Sequence, residues 1–247
     1  MKHKIEISLE IPVMQRMFIG SGFSDNTVNR KVLRDSKGIA YIPASSLKGV
    51  IRNQCEKIAD LYNFDILSPH DQSLDNFKNS KDSKYITDII FGSKFEGEKL
   101  FFNDAYPEEE AYKNNEIISR NSIDRLMRTS KDSHLFTTEY IRNAKDKDDF
   151  VIYKSKIKGY HQNLTGDEIP IEYAFLIVSI LSCKFIGGDK STGAGWIKDG
   201  IKINEIKYNN KLFSGDSIKN EFLKEFLNEN YEDLKALFEV YKEESRA

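Results

Sequence analysis

Ile5, Ile7, Leu9, Ile11 and Val13 alternate with Lys4, Glu6, Ser8 and Glu10, and a period of two predicts a β-strand with one face buried. The alternation then stops. Residues 14–38 contain Gly20, Gly22, Asp25, Asn26 and Asn29, a stretch too long and irregular for a tight turn and read here as a functional excursion. Beyond it the period becomes helical. Leu47, Val50, Ile51, Ile58, Leu61 and Tyr62 predict a helix running to Tyr62, with Lys48, Arg52 and Lys57 available to solvent or a ligand. Ser45 or Ser46 is the expected cap for its first N–H groups.

Residues 63–85, rich in Asp, Ser, Asn and Lys, read as an insertion and lead into an apolar run at Ile86–Phe91. Leu100-Phe101-Phe102 predicts a strand, and residues 107–166 form a second excursion that mixes charge with single aromatics. Ile171 to Cys183 is apolar almost all round, which predicts a buried helix too short to cross a bilayer, followed by a strand at Trp196–Ile203. In the tail, Phe222, Leu223, Phe226, Leu227, Tyr231, Leu234, Leu237, Phe238 and Tyr241 recur at helical spacing and predict one or two amphipathic helices.

At 247 residues and 39% apolar content the chain can bury a sizeable core, and one decorated domain fits better than two small ones. No signal peptide, repeat or long apolar stretch is visible, so a cytoplasmic protein with no membrane partner is expected. The net charge of −2 argues against nucleic-acid binding over the whole surface. Its distribution changes that picture. Residues 1–57 carry ten basic and five acidic side chains, whereas the chain from Asp216 onward carries nine acids and five bases. Cys55 and Cys183 sit on apolar helical segments and read as buried free thiols. His3, His70, His134 and His161 have no ligand spacing for zinc.

Two segments carry candidate chemistry. Tyr41-Ile-Pro-Ala-Ser-Ser-Leu-Lys-Gly-Val-Ile-Arg52 joins a strand to a helix start through two hydroxyls and a Lys, an anion-attracting arrangement. Gly187-Gly-Asp-Lys-Ser-Thr-Gly-Ala-Gly195 places four glycines around Lys190, Ser191 and Thr192, so that another chain can approach the backbone among donors. Together they suggest a binder of phosphate backbones. Neither is a nucleotide loop, because the Gly-x-x-x-x-Gly-Lys-Ser/Thr spacing is absent. Ser45-x-x-Lys48, Ser24-Asp25-Asn26 and Lys190-Ser-Thr-Gly193 run in the wrong order for a penicillin-interacting serine enzyme.

Ile42-Pro-Ala-Ser-Ser-Leu-Lys-Gly49 with Arg52, then Phe91-Gly92, Asp104-Ala105 and Gly188-Asp-Lys-Ser-Thr-Gly-Ala-Gly195, resemble the RAMP superfamily of CRISPR-associated proteins. The order matches as well, and coverage runs from about Ile5 to Ile203. The single-domain backbone subunits of type III effector complexes are the most similar, with Arg120, Ile123-Asp-Arg125, Leu135-Phe136 and Glu139 in the place of their middle block.

That resemblance implies an α+β, ferredoxin-like and RRM-related domain over residues 1–205. It would carry thumb insertions at about 14–38, 63–85 and 107–166 and a helical extension over 206–247. The implied partners are guide (CRISPR) RNA, complementary target RNA, further copies of the chain and other effector subunits. The expected RNA contacts are Ser45, Ser46, Lys48, Arg52, Gly187, Gly188, Lys190, Ser191, Thr192, Gly193 and Gly195. Met17, Phe18, Phe23 or the Leu135-Phe136 region would interrupt the duplex. Binding needs no cofactor, whereas cleavage would need Mg²⁺. Related subunits place an Asp about six residues before an acidic position, here Asp35, and this chain has Asn29 there. Asp25 is therefore the candidate catalytic carboxylate. The alternatives are an Mg²⁺-dependent endoribonuclease subunit and a capping subunit of the same complex. A guide-processing endonuclease is disfavoured, since His3 lies in a leading strand.

Overall fold

The computed structural model describes residues 2–64, 66, 85–93, 97–108, 115–142, 150–162, 169 and 171–223. Strand β1 (Lys2–Met14) lies at the centre, confirming the period-two pattern, with β7 (Phe150–Gln162) on one side and β8 (Lys202–Tyr208) on the other. All pairings are antiparallel. Ile7 faces Ile157 in one neighbour and Ile206 in the other, so the apolar sets of three strands share one face. The sheet is completed by β3 (Leu100–Phe102) and β4 (Tyr106–Pro107) against β7, and by β9 (Lys211–Phe213) beyond β8.

Two helices cover the apolar face: α1 (Ala44–Leu61) and α3 (Ile171–Leu181), with the short α2 (Ile86–Phe91) beside them. Leu47, Ile51 and Cys55 of α1 fall four residues apart and are buried against the same core as Phe175, Leu176 and Ile180. The opposite face of the sheet is a mosaic of ion pairs, with Glu6 pairing diagonally with Lys156 at 3.1 Å and Glu10 with Lys154, directly opposite it, at 3.7 Å.

The cap of α1 differs from expectation. Ser45 and Ser46 lie inside the first turn, Pro43 is the N-cap residue, and neither serine caps the helix. Ile42 and Ala105 exchange backbone hydrogen bonds at 2.9 and 2.8 Å, which sets Asp104 over the helix start, where Ala44 N–H donates to its Oδ1 at 2.7 Å. A cap brought from sixty residues away cannot be read from local sequence. Asp104→Ala is expected to cost about 1 kcal/mol and to lower Tm by about 2–4 °C. A thermal melt indistinguishable from that of the parent chain would refute the assignment.

A second, three-stranded sheet of order β2-β6-β5 stands beside the first, built from β2 (Arg16–Met17), β5 (Asn115–Ile123) and β6 (Ser130–Arg142). β5 and β6 form a hairpin whose turn is closed by Asp124 Oδ1, which accepts from the N–H groups of Leu126 and Met127. Phe18, Val32, Ala40, Tyr140, Ile141 and Ala194 make a small core under this sheet. The 14–38 excursion folds back on itself, with Leu33 N–H donating to Ile19 O at 2.8 Å and Ser21 N–H donating to Lys31 O at 2.9 Å.

Three sequence expectations shift. The segment from Trp196 forms isolated bridges and a turn, and the strand expected there begins only at Lys202. Residues 107–166 hold β7, a main-sheet strand, as well as the β5–β6 hairpin. The main sheet continues past residue 205 to β9, so helix begins at Asp216 with α4 (Asp216–Phe222). The tail beyond Leu223 and most of the 63–85 insertion lie outside the described residues. Among the described residues no helix is long and apolar enough to cross a membrane.

Candidate nucleic-acid interface

The two motif segments, about 140 residues apart in sequence, face each other across a groove of about 700 Å³. Ser46, Gly49, Val50, Asn53, Gln54 and Lys57 form one wall, a stripe at steps of three and four residues along α1. Phe18 to Gly20, Ser182 to Phe185, Gly187, Gly188 and Lys190 form the other. Lys57, Lys184 and Lys190 are exposed, and none of the described residues that line the groove is a carboxylate. Cys183 is buried beneath its floor, where desolvation pushes the thiol up to about 12 while Lys190 and Lys57 oppose the shift. Cys55 is likewise a buried free thiol.

Helix geometry divides the expected residues. Lys48 and Arg52 lie four apart on a different stripe of α1 from the groove wall. The Lys48 ammonium pairs with Glu98 at 2.6 Å. The Arg52 guanidinium bonds Glu56 at 3.0 Å, the Gly92 carbonyl at 3.2 Å and Asp88 at 3.5 Å, which ties α1 to the end of α2. Ser46 lines the groove, whereas Ser45 is exposed outside it.

The glycine loop has a different logic from the one its sequence suggested. A Cβ on Gly187 would lie 2.3 Å from Phe18 O, and one on Gly195 only 1.8 Å from Ile186 O. The chain that approaches these glycines is therefore the protein itself. Gly188 N–H donates to Phe18 O and Gly195 N–H to Arg16 O, each at 2.8 Å, so the loop is stitched along residues 16–18. Gly193 ends a short 3₁₀ turn at φ 81°, with open space where a Cβ would stand. Lys190, Ser191 and Thr192 are exposed at the crest.

Behind that crest Arg30 and Arg120 converge on Asp189, and Arg16 holds the neighbouring Thr192. Arg30 donates to both Asp189 oxygens at 3.2 Å, the Tyr140 hydroxyl donates to Oδ2 at 2.5 Å, and Arg120 lies 3.8 Å from the same oxygen. Arg16 donates to Thr192 O at 2.6 Å and Arg120 to Thr192 Oγ1 at 3.3 Å. Burial opposes ionisation of Asp189, but Tyr140, Arg30 and Arg120 outweigh it and hold the carboxyl below its ordinary range. Burial and the Asp189 carboxylate both raise the Tyr140 hydroxyl.

In the excursion, Asp25 builds a turn. Its Oδ1 accepts from Thr27 N–H, Thr27 Oγ1 and Val28 N–H, and its Oδ2 pairs with Lys31 at 2.5 Å. The Lys31 ammonium first, and then the Thr27 and Val28 amides, keep the carboxyl far below the usual range. Asn29 clamps the loop to β6: its Oδ1 accepts from Thr137 N–H at 2.8 Å, and its own N–H donates to Thr137 Oγ1 at 3.1 Å. These residues do not fit Mg²⁺, because the carboxylate is saturated with donors and has an ammonium against it. Among the described residues no three His, Cys, Asp or Glu side chains converge on a metal-sized site.

Residues 10–198 match the family model of the RAMP superfamily. The chain belongs to the RAMP superfamily. Among solved structures, a chain of the type III-B Cmr-beta cryo-EM structure in its apo state aligns with a TM-score of 0.52 and 14% identity, over 80% of this chain and 96% of that one. At that identity the likeness is one of fold. A comparison with curated proteins gives no match.

Sequence reasoning about this RAMP protein missed Lys184, Arg16, Arg30 and Asp189 as members of the site, and it named Arg120 only by resemblance. Met17 and Phe18, considered as wedges for a duplex, are buried, Met17 in the main core and Phe18 in the small one. Phe23 and Leu135 are exposed, as are Ile123, Leu126 and Met127 at the hairpin end.

Proposed function

We propose that this RAMP protein is a subunit of a type III CRISPR effector complex that holds the guide RNA backbone in the groove between α1 and the 187–195 loop and presents the guide to target RNA. The observation that carries this reading is the groove itself, which unites Ser46, Gly49, Gly187, Gly188 and Lys190, adds Lys57 and Lys184, and has no acid among its described lining residues. A strand of phosphodiesters is the ligand such a lining suits, because clustered lysines gain by releasing counterions from phosphates. Lys48 and Arg52 serve the scaffold, and Ser45, Ser191 and Thr192 supply hydroxyls at the margins.

The order β3-β7-β1-β8 with both helices on one face supports a ferredoxin-like, RRM-related core. Glu–Lys pairs occupy the middle of its open face, with Phe101 and Tyr160 exposed toward one end, so the centre of the sheet offers charge and not the stacking aromatics an RRM would need there. The β5–β6 hairpin, with Ile123, Leu126 and Met127 exposed beside Arg125 and Arg128, is the proposed thumb that meets the guide:target duplex. Cleavage is not part of this reading, given the environments of Asp25 and Asn29.

The test is to purify the tagged full chain from its native cells, then extract and sequence the RNA that accompanies it. Repeat-derived guides are expected. Recovery of no RNA above a mock purification sinks the reading. The mass of the particle separates a backbone subunit, present in several copies per guide, from a capping subunit present once.

A further inference from the structure

We propose that Arg16, Arg30 and Arg120 form a second phosphate seat at the 188–192 turn, outside the lysine groove, with Asp189 positioning Arg30 and Arg120 and the Thr192 carbonyl positioning Arg16. The inference rests on the RNA-binding reading above and adds to it a separate point of contact.

Charge comes first. Arg30 and Arg120 face the Asp189 carboxylate and Arg16 lies beside them on Thr192 O, so these four groups carry an excess of two positive charges. The layering then decides which way that excess faces. The Asp189 side chain is 15% exposed, against 40% for Arg30 and 24% for Arg120, so in each pair the carboxylate is the more buried group and the cation the more exposed.

Donor accounting agrees. A guanidinium carries five N–H donors; the bonds to Asp189 and Thr192 engage one nitrogen on Arg16 and one on Arg120 but both terminal nitrogens of Arg30, so the spare donors lie chiefly on Arg16 and Arg120. The remaining donors are held in fixed planes. Arg30 stacks on Phe18 at 4.2 Å, and Arg16 and Arg120 approach the Tyr140 ring at 5.3 and 5.5 Å. Side chains ordered in advance lose little further freedom when a ligand arrives, and the planar fork of Arg matches phosphate oxygens. A lysine groove and this seat outside it would let one turn of backbone direct a strand past both.

A purely structural role, in which the arginines only pin the loop to β2 and β5, predicts different behaviour. The experiment measures binding of a fluorescent single-stranded RNA of about 20 nucleotides to the full chain by anisotropy across a salt series, with Tm recorded for every variant. Arg30→Gln with Arg120→Gln is expected to raise Kd at least tenfold and to reduce the slope of log Kd against log salt by about 1 or more. Asp189→Asn should weaken binding severalfold at an unchanged slope, as befits a group that orients donors without touching RNA.

If the double Gln variant weakens binding without changing the slope, or leaves Kd unchanged, the seat is overturned. Should that variant fail to fold, Arg30→Lys with Arg120→Lys decides, because severalfold weaker binding at constant slope supports the seat and an unchanged Kd overturns it. RNA binding that is sensitive to Lys57 and Lys190 but indifferent to the arginines removes the seat and leaves the groove standing. A parent chain that binds no RNA removes both.

Discussion

Replacing Lys57 and Lys190 together by Glu is expected to raise the Kd for single-stranded RNA about a hundredfold near physiological salt. Both side chains are exposed on opposite walls of the groove, and neither wall carries a carboxylate among the described residues. Each reversal removes one attraction to a phosphate and adds one repulsion, each worth about 0.7 kcal/mol at a screened surface position. Four such terms amount to about 3 kcal/mol, or two decades in affinity. The salt slope should fall by roughly 1.4, the counterion equivalent of two single-strand contacts. Lys48→Glu is the internal control. Its ammonium already pairs with Glu98 on another stripe of α1, so Kd should change less than about threefold. Anisotropy on folded protein decides, and a double variant within about fivefold of the parent would remove the groove from consideration as the RNA path.

The contrast between Lys48 and Lys57 shows what a sequence reveals and what it withholds. Strand β1 was legible because one apolar face over a long stretch leaves a strict period of two, and α1 was legible because its buried positions recur at helical spacing. The two motif segments were legible as a pair, and the structure brings parts of both to one groove. Which cation on the helix faces that groove depended on where α2 and Glu98 dock, and such long-range facts leave no local trace. Asp104 capping α1 and Asn29 clamped to Thr137 are of the same kind.

β7 was missed although its signal exists. Tyr153, Ser155 and Ile157 alternate with Lys154, Lys156 and Lys158, and the lysines masked a half-buried strand within a charged stretch. The arginine cluster had no comparable signal. Arg16, Arg30 and Arg120 are scattered along the chain, and only the docking of β2, the excursion and β5 onto the loop assembles them at Asp189 and Thr192.

Two glycines, each replaced by Ala, should separate folding from binding with opposite signs. At Gly195 the new Cβ would stand 1.8 Å from the Ile186 carbonyl oxygen, at a φ of +73° that side-chain-bearing residues rarely adopt. The backbone cannot shift to relieve this clash cheaply, since Gly195 N–H donates to Arg16 O and Gly195 O accepts from Ile186 N–H, both at 2.8 Å. Gly195→Ala is therefore expected to cost about 4 kcal/mol or more and to lower Tm by about 10 °C.

Gly49 sits inside α1, where an added Cβ meets nothing within 4 Å. Gly in a helix interior is about 1 kcal/mol worse than Ala, so Gly49→Ala should raise Tm by about 2–4 °C. Yet Gly49 lines the groove, and a methyl group there would stand where the proposed strand passes closest to the helix. A more stable protein that binds RNA about tenfold more weakly is the expected result, a loss of roughly 1.4 kcal/mol of affinity. Stability and binding that rose together, or a Kd unmoved by the methyl group, would mean that the strand does not run along this face of α1. The same two melts and titrations thus distinguish a glycine required by the chain's own crowding from one whose empty space is reserved for a ligand.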